Sequence, residues 1–167
     1  MIVTRDFNGL LIPSAAPILI LAGTTVEITQ NKGGFVTIYA NGNLVRVERR
    51  DFGAIGLEVG DDQIPIIGPI SVELAWQVLR ECYDPEIPIN IVDLGLVYDC
   101  SVVENKITVT MTLTAPMCGM GPILISDIKA RLLEIKDVKG VEVNMVFDPP
   151  WTKDRMSDAA KLELGLI

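Results

Sequence analysis

The sequence feature that most constrains the fold is a change of periodicity in the second half of the chain. From Ile107 to Leu113, apolar residues alternate with threonines, which is the period of two of a strand with one buried face. From Leu124 to Ile135, apolar residues recur every three or four positions, as on one face of a helix. The segment between the two patterns therefore joins a strand to a helix, and it carries Cys118.

Cys118 is predicted to lie at or just before the N-terminus of that helix, with Pro122 in the first turn. Unpaired N–H groups and the positive end of the helix dipole favour a thiolate there. Such settings lower a cysteine pKa from about 8.5 to between about 3.5 and 7.5. The alternative is that Cys118 is a small buried apolar residue, as free cysteines often are.

Composition limits the classes of function. The 167 residues include 14 basic and 22 acidic side chains, a net charge of -8, and nucleic-acid binding needs clustered Lys and Arg. The chain has no histidine and three cysteines, Cys82, Cys100 and Cys118, so one copy cannot build a common zinc site or a Cys-His catalytic pair. We expect a cytoplasmic protein with no nucleic-acid partner, in which Cys82 and Cys100 are core residues.

The first third of the chain is predicted to be a small all-β domain. Residues 9–23 are apolar, but two prolines interrupt them and they are too short to span a bilayer, so we expect two strands and a turn and no membrane contact. We expect a partial barrel over residues 1–65, with Arg46, Arg49 and Arg50 on a solvated surface. Glycine turns separate three further predicted strands, at 25–29, 35–40 and 43–47.

The rest of the chain, residues 66–167, is predicted to be a second domain. Ser71 caps its first helix. A strand beginning at Leu94 then pairs through a hairpin at Glu104-Asn105 with the threonine-rich strand. The apolar stripe of the first helix comprises Val72, Ala75, Trp76, Leu79 and Cys82.

A last strand and helix complete this domain. Residues 141–147 alternate as a strand, which should lie parallel to the threonine-rich strand after a right-handed crossover. A short helix near 157–164 follows. The fold class is therefore α+β: a small N-terminal all-β unit, then an α-β-β-α-β-α domain with a small mixed sheet.

Three sequence motifs follow one another in the second domain: Asp84-Pro85-Glu86 with Asp93-Leu94-Gly95, Thr112 to Cys118, and Asp148-Pro149-Pro150-Trp151-Thr152. In this order they resemble the iron-sulfur assembly-associated domain shared by SufT-like and PaaD-like proteins. The β unit is also similar to an extra N-terminal region of SufT-like proteins. One departure is Gly119, where the family commonly has proline after the motif cysteine.

The resemblance implies an accessory factor in the maturation of iron-sulfur proteins and not an enzyme. It marks Cys118, Asp84, Glu86 and Thr114 as functional residues, with Asp148 in the third motif. Cys118 with a carboxylate of Asp84 or Glu86 would make an incomplete site for ferrous iron. The alternatives are a helix-ending turn at Asp84 and a solvated charge at Glu86.

The same resemblance implies partners and cargo. We expect transient iron or an iron-sulfur cluster, scaffold or carrier proteins of the SUF system, apo iron-sulfur clients, and a homodimer when a cluster is bound. A second candidate function is a PaaD-like subunit of a phenylacetyl-CoA oxygenase assembly. A third, an enzyme with Cys118 as nucleophile, lacks the usual histidine base. Trp151 is either a lid on a rigid turn or, if exposed, an interface residue.

Overall fold

The computed structural model describes most of the chain as two compact units. The described residues are 1–32, 34–58, 66–84, 87, 89–114 and 119–166. Residues up to 58 belong to the first unit, and 66–84 with 89–166 form the second. The predicted boundary at residue 65 falls outside the described residues and stays a prediction.

The first unit is an antiparallel sheet, as predicted. Its strands are β1 (Phe7–Leu11), β2 (Pro17–Ile20), β3 (Val26–Lys32), β4 (Phe35–Ala40) and β5 (Asn43–Val47). Their order in the sheet is β2-β1-β5-β4-β3. Asn41 and Gly42 make the β4–β5 turn with φ of 50° and 83°, the primed geometry that Asn-Gly favours.

The start of the chain partly closes this sheet. The Val26 amide donates to the Met1 carbonyl at 2.9 Å, and the Val3 amide donates to the Thr24 carbonyl at 2.9 Å. The segment that leads into β1 therefore runs beside the start of β3, the edge strand on the other side of the sheet order. This arrangement is the partial barrel that the turn pattern predicted.

The interior of the first unit shows that one prediction was wrong. Arg46, expected on a solvated surface, is only 3% exposed. Its guanidinium lies 4.2 Å from the centroid of the Phe35 ring, and its Nε lies 2.9 Å from a Glu48 carboxylate oxygen. Because Val45 and Val47 fill the core, alternation puts Arg46 on the opposite face of β5, and that face is covered too.

The second unit has the predicted order of elements and confirms the α+β class. Its elements are α1 (Val72–Leu79), β6 (Val97–Val103), β7 (Lys106–Met111), α2 (Gly121–Leu132), β8 (Gly140–Met145) and α3 (Asp158–Glu163). Its sheet has the order β6-β7-β8, with β6 antiparallel and β8 parallel to β7. Glu104 and Asn105 form the predicted two-residue turn, with φ of 51° and 62°.

Capping serines begin two of these helices. The Ser71 hydroxyl accepts a hydrogen bond from the Leu74 amide at 3.1 Å, and Ser157 does the same for Ala160 at 3.1 Å. The predicted stripe of α1 was partly wrong, because Val72 and Trp76 are only half-buried. The buried side chains of α1 are Leu74, Ala75, Val78 and Leu79. Across the described part of the chain, every helix is too short or too polar to cross a membrane.

Candidate functional site: the turn, the clamp and the loop after β7

A turn at residues 91–95 lies within the first sequence motif and leads into β6. The Asn90 side-chain oxygen accepts hydrogen bonds from the amides of Val92 and Asp93 at 3.0 and 2.9 Å. Its side-chain nitrogen donates to the Asp93 carboxylate at 2.7 Å. Gly95 has a φ of 77°, which glycine adopts without steric cost. The predicted strand start at Leu94 was therefore wrong, and β6 begins at Val97.

Residues 148–157, which we call the clamp, fasten this turn. The Trp151 indole N–H donates to the Leu94 carbonyl at 2.7 Å, and the Ser157 amide donates to the Asp93 carbonyl at 2.8 Å. The Tyr98 hydroxyl donates to the Pro149 carbonyl at 2.8 Å. Trp151 is half-buried, so these contacts support its role as a lid.

Close backbone approach between the clamp and the turn requires a glycine. A Cβ atom at Gly95 would lie 2.3 Å from the carbonyl oxygen of Arg155, far inside van der Waals contact. The Arg155 guanidinium also lies 4.5 Å from the centroid of the Tyr98 ring, a cation–π geometry. The clamp and the turn thus fit together over several contacts of different kinds.

Leu96, which follows the turn, is hydrogen-bonded to Thr112, the first residue after β7. The Thr112 amide donates to the Leu96 carbonyl at 2.8 Å, and the Val146 amide donates to the Met111 carbonyl at 2.8 Å. Thr112 is only 1% exposed. Among the described residues, its hydroxyl oxygen is the one buried side-chain N or O atom without a hydrogen-bond partner.

Two of the predicted site residues lie in the described structure. Thr114 is exposed at the end of the segment that leaves β7. Asp84 is 9% exposed and takes part in a polar interaction. Cys118 and Glu86 lie outside the described residues. The predicted set of Cys118, Asp84, Glu86 and Thr114 therefore stays a prediction.

The helix after the loop begins as the sequence indicated. Helix α2 starts at Gly121 with Pro122 in its first turn, a position where proline costs no intrahelical hydrogen bond. Its buried side chains include Leu124, Ile128 and Leu132, the residues of the predicted stripe. Cys118 precedes this helix by three positions in sequence.

An ion-pair network that the sequence did not reveal ties α2 to the turn after α1. The Arg131 Nη2 atom lies 2.6 Å from the Glu81 carboxylate, and Arg131 also pairs with Glu134. The Arg131 side chain is only 11% exposed. The local pattern of charges in the sequence could not predict this network, because Glu81 and Arg131 are 50 positions apart.

The other two cysteines are buried, as expected. The Cys82 thiol donates to the Val78 carbonyl at 3.6 Å, and burial, with a smaller effect from Asp127, raises its pKa to about 12. Burial, with a smaller effect from Asp99, raises the pKa of Cys100 to about 11. Both thiols therefore stay protonated and unreactive at neutral pH.

Metal-binding groups do not gather within the part of the chain that the structure describes. No three Cys, Asp or Glu side chains there are grouped so that they could hold a metal ion. Cys118 and Glu86 of the predicted set lie outside that part.

Comparison with known proteins places this second unit in a defined group. Residues 74–145 match the family model described as iron-sulfur cluster assembly protein. The chain is 48% identical over 92 residues to a protein of Porphyromonas gingivalis named Fe-S protein maturation auxiliary factor, covering 54% of this chain and 88% of that protein. It is 51% identical over 84 residues to the Fe-S protein maturation auxiliary factor SufT of Staphylococcus aureus, covering 50% and 96%.

A solved structure shows the same fold. A crystal structure of a domain of unknown function from Bacillus anthracis has a TM-score of 0.55 and 41% identity, covering 57% of this chain and 92% of that chain. The likeness agrees with a helix-strand domain that contains a small mixed sheet.

The matches cover about half of this chain. The family model matches residues 74–145, most of which lie in the second unit, and the match to the Staphylococcus aureus protein uses 96% of that protein but 50% of this chain. The expected similarity between the β unit and an N-terminal region of SufT-like proteins stays a prediction.

Proposed function

Because the chain belongs to the iron-sulfur cluster assembly protein family, we propose that it is an accessory factor that carries iron or an iron-sulfur cluster transiently as cargo. The observation that carries this proposal is the 48% identity to a maturation auxiliary factor over 88% of that protein. The names of the relatives support a role in iron-sulfur protein maturation.

Cys118 is the cysteine best suited to hold this cargo. Iron and iron-sulfur clusters are bound by thiolates, and Cys82 and Cys100 are buried with pKa values raised to about 12 and 11. Cys118 is the remaining cysteine of the three. Asp84 and Glu86 supply carboxylate oxygens as additional ligands in this proposal, and Thr114 lies four positions before the cysteine.

Ligand counting sets the expected stoichiometry. An iron-sulfur cluster is held by four protein ligands, most often thiolates, and one chain offers a single suitable thiolate in this account. A bound cluster would therefore be labile and would bridge two copies of the chain, or this chain and a carrier or client of the SUF system. Sedimentation of the apo and reconstituted protein tests this, with a dimer expected only when the cluster is present.

Transfer of cargo to a client tests the function itself. The full chain is reconstituted anaerobically with ferrous iron and sulfide, separated from free iron, and mixed with an apo-hydratase whose activity needs a [4Fe-4S] cluster. We expect the wild-type chain and Cys100→Ser to activate the client and Cys118→Ser to fail. Activation by Cys118→Ser at the wild-type rate would refute the assignment, and no activation by any variant would refute the carrier role.

The cysteine pattern bears on the compartment, and the names of the relatives bear on the alternative function. We place the protein in the cytoplasm, because an odd number of scattered cysteines fits a reducing environment better than a disulfide framework. A subunit role in an oxygenase assembly would instead predict copurification with that assembly and no activation of the apo-hydratase. The names of the two relatives support the maturation role.

A further inference from the structure

Strand β2 is the end strand of the sheet in the β unit, and no described strand pairs with its outer side. Unpaired edge strands attract other chains, so native proteins protect them with charges, prolines, bulges or covering segments. Residues 7–26, which contain β1 and β2, have no charged side chain, and the register between the two strands is regular. Pro17 removes a donor only at the first position of β2. The rest of this edge lacks charge and bulge protection.

The other sheet edges carry such protection. The first residues of the chain run along the start of β3, where the Val26 amide donates to the Met1 carbonyl at 2.9 Å. Strand β6 is interrupted by a shift of register between Val97 and Asp99. Strand β8 presents the exposed carboxylate of Glu142. Among the strands that the structure describes, β2 thus has the least protected edge.

The alternation of hydrogen bonds between β1 and β2 determines which backbone groups face outward. The Leu11 amide donates to the Ala16 carbonyl at 2.8 Å, and the register then pairs Gly9 with Ile18. In an antiparallel pair, residues that exchange hydrogen bonds alternate with residues that do not. Ile18 therefore bonds to β1, and the amide and carbonyl of Leu19 point to the open side of the sheet.

Apolar side chains lie beside these outward-facing groups. Leu19 and Leu21 flank the fully buried Ile20, and both are more than half exposed. Ile2, which forms a bridge with Thr25 just after the turn that ends β2, is also more than half exposed. Exposed apolar side chains that lie together are typical of interaction sites. This edge therefore offers both backbone hydrogen bonds and apolar contact.

We propose that the outer side of β2 binds an extended segment of another protein by strand addition. The segment exchanges main-chain hydrogen bonds with Leu19 and packs apolar side chains against Leu19 and Leu21. It is uncharged where it faces the edge, because a charge there would lose water and find no opposite charge in residues 7–26. The family model matches only residues 74–145, so this inference concerns a different part of the chain and does not rest on the carrier role.

A second copy of the chain is a poorer occupant of this edge. Two β2 strands would bring together four residues from each copy, whereas a stable interface takes about 20–30 residues a side. Each copy also carries a net charge of -8, and like net charges oppose association. Recognition of an extended segment depends mainly on main-chain hydrogen bonds and needs no large area. We therefore assign the edge to a different protein.

Peptide binding to the full apo chain tests the inference. The probe is a short blocked peptide in which valine alternates with threonine, with an ethylene glycol chain for solubility. Amide exchange measured by nuclear magnetic resonance should be fast at Leu19 and slow at Ile18 and Ile20 before the peptide is added. Saturating peptide should slow exchange at Leu19 by at least about tenfold. An unchanged Leu19 rate at about 1 mM peptide would overturn the inference.

Leu19→Lys tests the edge without disturbing the core, because Leu19 is exposed. We expect its affinity for the peptide to fall about tenfold, since apolar contact is lost and a charge is desolvated, with an unchanged unfolding midpoint in urea. The matched control is Tyr39→Lys, an exposed residue of β4, which lies between β3 and β5 and has no open edge. Wild-type affinity in Leu19→Lys, or an equal loss in Tyr39→Lys, would refute the proposed site.

Two further measurements test the binding mode and the occupant. The same peptide with N-methylated amides keeps its side chains but cannot donate main-chain hydrogen bonds, so it should not bind, and equal binding would rule out strand addition. Sedimentation of the apo chain should show a monomer. A concentration-dependent dimer that Leu19→Lys abolishes would assign the edge to a second copy and overturn the proposed occupant.

Discussion

The two units treat their buried polar residues differently. In the β unit, Arg46 pairs with Glu48 and covers Phe35, Asp51 lies 3.0 Å from Arg5, and Gln30 and Thr37 take part in polar interactions. In the second unit, Asp84 also takes part in a polar interaction, but the hydroxyl of Thr112 is buried without a partner in the described chain. The unit that matches the family therefore contains an unsatisfied buried hydroxyl.

The two kinds of buried polar group differ in their effect on stability. Satisfied buried polar groups stabilise and specify a fold, which accounts for Arg46, Asp51 and their partners without any ligand. An unsatisfied buried hydroxyl has a cost in folding.

The largest expected effect concerns the fit of the clamp to the turn. Gly95→Ala places a methyl group 2.3 Å from the Arg155 carbonyl oxygen and forces alanine to a φ of 77°. We expect the free energy of unfolding to fall by about 4 kcal/mol, from left-handed strain plus overpacking. Urea unfolding followed by tryptophan fluorescence measures it, because Trp76 and Trp151 both lie in the second unit.

Gly165→Ala is the control for Gly95→Ala. Gly165 also has a positive φ, 72°, but a Cβ there would meet nothing within 4 Å. Its cost should be only about 1 kcal/mol. Equal losses in the two variants would mean that the clamp does not press against the turn.

The next prediction concerns the burial of Cys82, which follows α1 in the second unit. The Cys82 pKa is raised from 9.0 to about 12 in the folded protein, so the stability gained from the protonated thiol is complete below pH 9 and is lost as the pH rises towards 12. Between pH 9 and pH 11 this loss should be about 3 kcal/mol. Urea unfolding at several pH values should show a shallower decline for Cys82→Ala than for the wild type.

Cys100→Ala is the matched control for this pH dependence. Its thiol pKa is raised only to about 11, so the decline in stability that it causes levels off above pH 11, and above that pH its removal should flatten the curve less than the removal of Cys82 does. If Cys82→Ala retained the full wild-type slope, the Cys82 thiol would have to be ionising in contact with water.

A smaller effect tests the satisfied polar groups of the β unit. Arg46→Ala removes a guanidinium that is 3% exposed, together with its contacts to Glu48 and Phe35. We expect a loss of about 2 kcal/mol, because Glu48 is partly solvated and needs its partner less than a fully buried carboxylate would. Arg50→Ala is the control, since its side chain is 81% exposed and should change stability by less than about 0.5 kcal/mol. Urea unfolding followed by circular dichroism compares them, and equal losses would contradict the contrast between the units.

Local pattern predicted much of this fold from the sequence. The alternation along β7, the hairpin at Glu104 and Asn105, the cap at Ser71 and the short helix near 157–164 depend on neighbouring residues and were found where expected. These features need only short-range geometry. The α+β class followed from their order along the chain.

Features that depend on distant residues could not be predicted in this way. The alternation along β7 places Thr112 on the same face as Thr108 and Thr110, which are half-buried. Only the hydrogen bond from the Thr112 amide to the Leu96 carbonyl shows how Thr112 is held in place. The contact of Trp151 with Leu94 joins residues 57 positions apart. The start of β6 was misplaced because Asn90 and Gly95 form a turn that overrides an apolar alternation.

The central claim, that Cys118 is the reactive cysteine, is tested most directly by competitive alkylation. The folded apo protein is treated briefly with limiting iodoacetamide at pH 7, and the label on each of the three cysteines is mapped by mass spectrometry. Because burial holds Cys82 and Cys100 as thiols, Cys118 should be labelled more than about tenfold faster than either. Equal labelling of all three, or protection of Cys118, would contradict the account.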